Sequence, residues 1–188
     1  MISVGITGTI SSGKSSACKF IAYKRGPVFS ADETVKKLYS KKKFRTLISK
    51  KLNLDKKKNF KKNLKEVLLK KKKNLIKLEK IIHPLVRREM LYFLKKNRKK
   101  KFLFLEIPLL IESRLQRFFD ITIFIKSNKN LRKRRYKTKG GDPKVFEMLN
   151  KHQLKDTYKM KLCNFTVINN GSFSALKKNL LNIIHKHV

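Results

Sequence analysis

Cysteine is scarce in this 188-residue chain, and Cys18 and Cys163 lie far apart and outside any Cys-x-x-Cys pair. That excludes a disulfide framework and a cysteine zinc site, and leaves two reduced thiols, Cys18 as packing on the first helix. The four histidines have no ligand-like spacing, and no Cys/His or Ser/His/Asp set points to zinc chemistry or acyl transfer. Long hydrophobic runs are missing too. The most apolar stretch, Phe102 to Ile111, is interrupted by Glu106 and Pro108 and is too short and polar to span a bilayer. The N-terminus enters a strand-like segment directly, without the basic start, long apolar region and cleavage site of a secretory signal. A cytoplasmic protein with no membrane partner is the expectation. There is no internal repeat.

Acidic residues are equally few, 12 against 50 basic ones, for a formal charge of +38. Such an excess first raises nucleic acid as a partner. Arginine, however, supplies 10 of the 50, leaving 40 lysines spread over most of the chain. Readers of bases and phosphates favour the forked guanidinium, so a solvated basic surface is the preferred reading over a polyanion-binding one. The length and the 40% hydrophobic content suit one α/β domain with an insertion.

Against this background one motif stands out. Gly8-Thr9-Ile10-Ser11-Ser12-Gly13-Lys14-Ser15 fits G-x-x-x-x-G-K-[ST] and follows the apolar segment Ile2 to Thr7, where a phosphate-binding loop belongs. Such a loop turns backbone N–H groups around phosphates, and the helix expected from about Ser15 to Lys24 points its positive end at them. Gly8 and Gly13 permit backbone angles and close approach that a Cβ obstructs. Lys14 reaches the β and γ phosphates, and the Ser15 hydroxyl is a ligand for Mg²⁺. Ser11, Ser12 and Ser16 complete the candidate ATP-binding set, Ser16 without a fixed role.

Further along, Val28 to Ser30 reads as a short strand after the Gly26-Pro27 break, with Asp32 at its end. Ligands of open parallel sheets gather beyond the C-terminal ends of strands, so Asp32 either faces the nucleotide or caps a helix beginning near Glu33. Lys41 to Lys99 has helix-like apolar spacing, as in Leu64, Val67, Leu68 and Leu75, Leu78, Ile82, and reads as a helical insertion. The clusters Lys56-Lys57-Lys58 and Lys70 to Lys73 belong at helix ends or exposed faces. Within the insertion, Pro84 of His83-Pro84-Leu85-Val86-Arg87 suits the first turn of a helix running to about Lys96. Arg87 and Arg88 are either anion contacts or surface residues.

Phe102 to Leu105 has the form of a buried central strand, and Glu106 at its end either orients Mg²⁺-bound water or holds a substrate amine or hydroxyl. Ile121 to Ile125 and Phe165 to Ile168 supply two more strands, and Phe173 to His187 a closing helix. Arg132-Lys133-Arg134-Arg135 followed by Gly140-Gly141-Asp142-Pro143 is either a cationic lid on a glycine hinge or a solvated basic helix.

In order, GITGTISSGKSS, GPVFSAD, LEKIIHPLVRREM, FLEIPLLIES, FDITIFI, RKRRY, the stretch Gln153 to Lys159 and FTVINNGS resemble the dephospho-coenzyme A kinase family over nearly the whole chain. The phosphate loop is shared by many ATPases, whereas HPLVR and IPLLIE are far more selective. The resemblance implies a three-layer α/β P-loop kinase fold with a five-stranded parallel sheet, a helical acceptor-binding insertion and a lid. In this numbering the nucleotide-binding core is 1–40 and 100–188, the insertion 41–99 and the lid 132–143.

It also implies transfer of the γ-phosphoryl of Mg-ATP to the ribose 3′-hydroxyl of dephospho-coenzyme A. Lys14 and the loop would hold ATP, Ser15 the Mg²⁺, and Asp32 would orient the hydroxyl and take its proton. Arg132 and Arg135 would close on the phosphates, and His83, Arg87 and Glu106 would help to form the acceptor pocket. The chain departs from the family pattern at Thr9 and Ser11 in a usually glycine-richer loop, at Ser30 where an Asp is usual, at Glu106 for a common Asp, and at Asn164 for an acid. Two other readings remain: a P-loop kinase for a nucleoside monophosphate, and a basic nucleic-acid-binding ATPase with salt-sensitive RNA affinity. HPLVR and IPLLIE oppose the first, and the second finds no RNP aromatic motif or zinc-finger spacing.

Overall fold

A computed structural model describes residues 1–55 and 57–185. Lys56 of the first lysine cluster and the final turn expected of the closing helix, at 186–187, lie outside the described residues. The chain divides into two compact units, 1–31 with 93–185, and 32–92.

The first unit is built on five strands, β1 (Ile2–Gly8), β2 (Val28–Ser30), β3 (Phe102–Glu106), β4 (Ile121–Lys126) and β5 (Phe165–Ile168). All pairings are parallel, in the order β2-β3-β1-β4-β5. This is the three-layer α/β class expected from the sequence. β3 is buried along its whole length, as a central parallel strand must be when both faces are covered. Phe102, Phe104, Ile121, Ile123 and Ile125 face a core made with α1 (Lys14–Ala22) and the last helix, α9 (Phe173–His185), through Ala17, Cys18, Ile21, Leu176 and Leu180. The alternate residues Leu103, Leu105 and Phe124 are fully buried as well.

The order places the topological switch point, where successive strands begin to be added on the other side, beside β1. There β1 leads into the phosphate loop, and its neighbour β3 ends at Glu106, paired with Ile6. Crevices at such points are where open α/β sheets bind ligands.

The remaining helices of this unit are α6 (Lys129–Thr138), α7 (Pro143–His152) and α8 (Asp156–Leu162). Gly140 has a φ of +76°, and Gly141 packs under the Tyr136 ring. Asp142 then caps α7 by accepting from the Lys144 N–H at 2.6 Å, with Pro143 in the first turn. The expected glycine hinge is thus a built turn between two helices.

The second unit comprises α2 (Ala31–Ser40) from Asp32 onward, α3 (Lys42–Leu52), α4 (Phe60–Lys70) and most of α5 (Lys72–Lys96). Its core joins Phe44, Ile48, Leu52, Leu64, Leu78 and Ile82. Its limits differ from the 41–99 insertion read from the sequence. Val35, Leu38 and Tyr39 of α2 pack on this core, whereas Phe93 in the last turn of α5 lies with its ring 5.7 Å from Phe29 in the first unit. Lys70 to Lys73 are exposed at the α4–α5 junction, as their charge requires.

One local expectation fails. Pro84 does not open a helix but sits inside α5, which runs unbroken through it. Proline there removes a hydrogen bond and costs about 3 kcal/mol. Leu78 and Ile82 before it and Leu85 and Val86 after it all join the same core, and packing on both sides of the proline keeps one helix. Smaller shifts occur at helix starts, with α1 beginning at Lys14 and α2 at Ala31.

Candidate active site

The loop between β1 and α1 is shaped by backbone conformations that its sequence anticipates. Gly8 and Gly13 have φ of +153° and +97°, and Gly13 is the N-cap of α1. A Cβ on Gly8 would run into the Ile125 carbonyl of β4 and lie 2.7 Å from Ser12 Oγ, and one on Gly13 would meet the Asn169 side-chain amide. Ser12 N–H donates back to the Thr9 carbonyl at 3.1 Å, which curls the chain.

Ser11, at the position where the family loop is richer in glycine, has a φ of +57°. A left-handed conformation costs an L-residue roughly 1–2 kcal/mol, while glycine forfeits roughly 0.5–1 kcal/mol in chain entropy. Ser11→Gly should therefore leave stability within about 1 kcal/mol of the wild type. Ser11→Val, β-branched at a positive φ, should lower it by about 1–2 kcal/mol. Urea unfolding of the two variants checks both; equal stabilities would contradict the strain.

Lys14 is 6% exposed, and its Nζ donates to the Thr9 carbonyl at 2.9 Å. Ser15 Oγ donates to Glu106 Oε1 at 2.5 Å, and Ser30 Oγ to Glu106 Oε2 at 3.2 Å. Glu106 is itself 5% exposed. The three residues come from the start of α1 and the ends of β2 and β3, so the sheet order brings them to one edge. Ser16 faces outward and is exposed.

Of the 50 basic residues, Lys14, Arg132 and Lys159 are buried among the described ones. Desolvating a cation costs several kcal/mol unless it is compensated, so these three are structurally committed in a way the surface lysines are not. Arg132 Nε donates to the Ser127 carbonyl at 3.0 Å, and Nη1 to Asn150 Oδ1 at 2.8 Å and the Ile10 carbonyl at 3.3 Å. Its guanidinium also lies 5.8 Å from the Phe146 ring centre. Burial lowers its pKa, against the opposing influence of Asp156 and Glu147.

Arg135 is placed differently. Its Nη1 donates to Ser127 Oγ and to the Asn169 carbonyl, both at 3.2 Å, and lies 3.9 Å from where a Cβ on Gly13 would stand. Burial and the adjacent Arg134 lower its pKa as well. The two arginines thus differ: Arg132 is enclosed by protein acceptors, and Arg135 stands beside the loop glycine.

The candidates in the second unit are Asp32, His83 and Arg87. Asp32 lies in the first turn of α2, as the second residue of the helix. Its carboxylate is exposed, and the helix N-terminus favours negative charge there. His83, half-buried, and Arg87, exposed, are one turn apart on α5.

Sequence reasoning gave no role to Ser30, Gln153 or Asn169. Asn169 Nδ2 donates to the Ser12 carbonyl at 2.8 Å from just beyond the end of β5. Gln153 Oε1 accepts from the Ile10 N–H at 2.9 Å. The rule that ligands collect at C-terminal strand ends could have flagged Asn169, as it did Glu106; nothing local flags Gln153. Burial and then Glu106 push the Cys18 thiol well up, and burial pushes Cys163 up to about 11, so neither is poised as a thiolate.

The loop suits a polyphosphate and a hard cation. Thr9 Oγ1 and Ser12 Oγ are buried on it without a hydrogen-bond partner, and such hydroxyls match acceptor oxygens of a ligand. Among the described residues no cluster of three His, Cys, Asp or Glu side chains forms a metal cage. Ser15 Oγ and Glu106 offer hard oxygens, the pattern of a Mg²⁺ that keeps waters and takes its other ligands from phosphates.

The model of the dephospho-CoA kinase family matches residues 2–175. A dephospho-CoA kinase of Rickettsia bellii is 29% identical over 98% of this chain and 96% of its own length. That of Bartonella quintana is 34% identical over 89% and 88%. The solved dephospho-CoA kinase of Campylobacter jejuni shares the fold with a TM-score of 0.64 and 23% identity, covering 98% of this chain and 96% of its own.

Proposed function

Since the chain belongs to the dephospho-coenzyme A kinase family, we propose that it transfers the γ-phosphoryl group of ATP to the ribose 3′-hydroxyl of dephospho-coenzyme A, yielding coenzyme A and ADP. The observation that carries this reading is the Gly8–Ser15 loop at the sheet's switch point, with buried Lys14 and with Ser15 bonded to Glu106.

Phosphoryl transfer is catalysed chiefly by positioning and charge neutralisation. The loop N–H groups and Lys14 hold the β and γ phosphates. Ser15, with Glu106 behind it, would hold a divalent cation, Mg²⁺, which would neutralise phosphate charge. Asp32 orients the acceptor hydroxyl and takes its proton as the new P–O bond forms and the bond to the β-phosphate oxygen breaks. Arg135 offsets charge on the transferring group. His83 and Arg87 serve the acceptor's polar and anionic groups. No helix among the described residues is long and apolar enough to cross a membrane.

Product chromatography after incubation with Mg-ATP and dephospho-coenzyme A tests the reading, with AMP, CMP and UMP as rival acceptors. Coenzyme A and ADP should form in equal amounts, with little product from the rivals. Phosphorylation of a nucleoside monophosphate in place of dephospho-coenzyme A would overturn it.

A further inference from the structure

Both peptide groups of one loop residue, Ile10, are taken by side chains from a distant segment. Its N–H donates to Gln153 Oε1 at 2.9 Å, and its carbonyl accepts from Arg132 Nη1 at 3.3 Å. Arg132 is held in turn by Asn150 of α7 and by the Ser127 carbonyl, and Gln153 is the residue that ends α7.

The far side of Gln153 is anchored as well. The Leu154 N–H donates to Glu112 Oε1 at 3.2 Å, and the same oxygen lies 2.5 Å from Lys159 Nζ. Lys159 is 0% exposed, and its Nζ is compensated by this ion pair without a hydrogen bond of good geometry. A buried lysine persists where a carboxylate compensates it, and removing either partner of such a pair is strongly destabilising. The pair therefore ties α8 and residues 153–154 to the segment after β3, and gives Gln153 a fixed base. The stretch Gln153 to Lys159, which the phosphoryl-transfer chemistry leaves without a task, acquires one here.

The loop needs such support. Ser11, next to Ile10, has a left-handed backbone without being glycine, and strained conformations last only where the surroundings over-determine them. We propose that Gln153 and Arg132 are positioning residues, which hold the phosphate loop in its ATP-binding conformation by clasping Ile10, with the Glu112–Lys159 pair as the anchor. The inference rests on the loop being the ATP site proposed above. It assigns Arg132 to the loop backbone, and leaves Arg135 as the arginine for the phosphates.

The test uses the full chain carrying Gln153→Met, which keeps the volume and removes the acceptor, and Arg132→Lys, which keeps the charge and loses the fork. ATP affinity is measured by calorimetry without acceptor, together with kcat, both KM values and exchange of the Ile10 amide. In each variant the ATP Kd and KM should rise about tenfold, as expected for losing one or two hydrogen bonds. The KM for dephospho-coenzyme A and kcat should stay within about threefold, and in Gln153→Met the Ile10 amide should exchange at least about tenfold faster. A merely structural role would lower Tm without this selective loss for ATP. A folded Gln153→Met with wild-type ATP affinity overturns the proposal; should that variant not fold, wild-type ATP affinity in Arg132→Lys does so. Wild-type protein that binds ATP but makes no coenzyme A would overturn the kinase reading alone, because the clasp is read from ATP binding.

Discussion

Lys14→Ala should lower turnover by about a thousandfold, while the protein stays folded. Lys14 is 6% exposed and its ammonium is bonded to the loop's own Thr9 carbonyl, so it acts from a site largely screened from water. At an effective dielectric constant near 20, a unit charge about 4 Å from a phosphate oxygen contributes roughly 4 kcal/mol, and that energy corresponds to about three decades in rate. Removal of a single preorganised donor in other enzymes costs about 10²–10³ in kcat. The loss should be read in kcat/KM by steady-state kinetics, with the melting temperature as a control for folding. Near-normal turnover would take Lys14 out of the mechanism.

Asp32→Asn should slow the chemical step by about 10²–10⁴, the usual contribution of a general base, and leave the ATP Kd within about threefold. The substitution keeps shape and hydrogen-bonding capacity and removes the charge. Since Asp32 lies in the first turn of α2, the accompanying loss of helix-dipole stabilisation is about 0.3–1 kcal/mol, far too little to account for the rate effect. Single-turnover kinetics with saturating ATP separate the two. A collapse of ATP affinity with little change in the chemical step would mean that Asp32 acts through the metal or through structure, and the proton would need another acceptor.

Much of the fold was legible because it is written in short, local patterns. The five strands are brief runs of apolar residues, and such runs are what a parallel sheet covered on both faces requires, so Phe102 to Leu105 and Ile121 to Ile125 could be placed almost to the residue. The phosphate loop was legible for another reason: Gly8 and Gly13 meet backbone and side-chain atoms that leave no space for a Cβ. Where local and distant forces compete, local reading failed. Pro84 next to His83 looked like a helix start, yet apolar residues on either side of it are drawn into one core and α5 continues. Arg132 and Arg135, three positions apart on one basic helix, look alike in the sequence; the contacts of Arg132 with Phe146 and Asn150 distinguish their surroundings.

The departures from the family pattern are clarified in the same way. Ser30 and Glu106 each differ from the usual Asp, and in the fold the Ser30 hydroxyl donates to the Glu106 carboxylate while the other oxygen of that carboxylate takes Ser15. A serine with a longer acid keeps one carboxylate connected to the phosphate loop. Neither position explains the other until β2 and β3 are paired with Ser30 opposite Glu106.

By itself the amino-acid sequence determined the class of chemistry, the parallel sheet and the residues of the phosphate loop, because backbone angles, apolar periodicity and the reach of Lys14 depend on neighbours a few positions away. The tertiary structure alone decided how that loop is held. Asn169 bonds to Ser12 across 157 positions, Gln153 to Ile10 across 143, and Arg132 to the same residue across 122. Such pairings carry no local signature, since they form only when the sheet order and the packing of α6 to α8 have brought the partners within hydrogen-bonding distance.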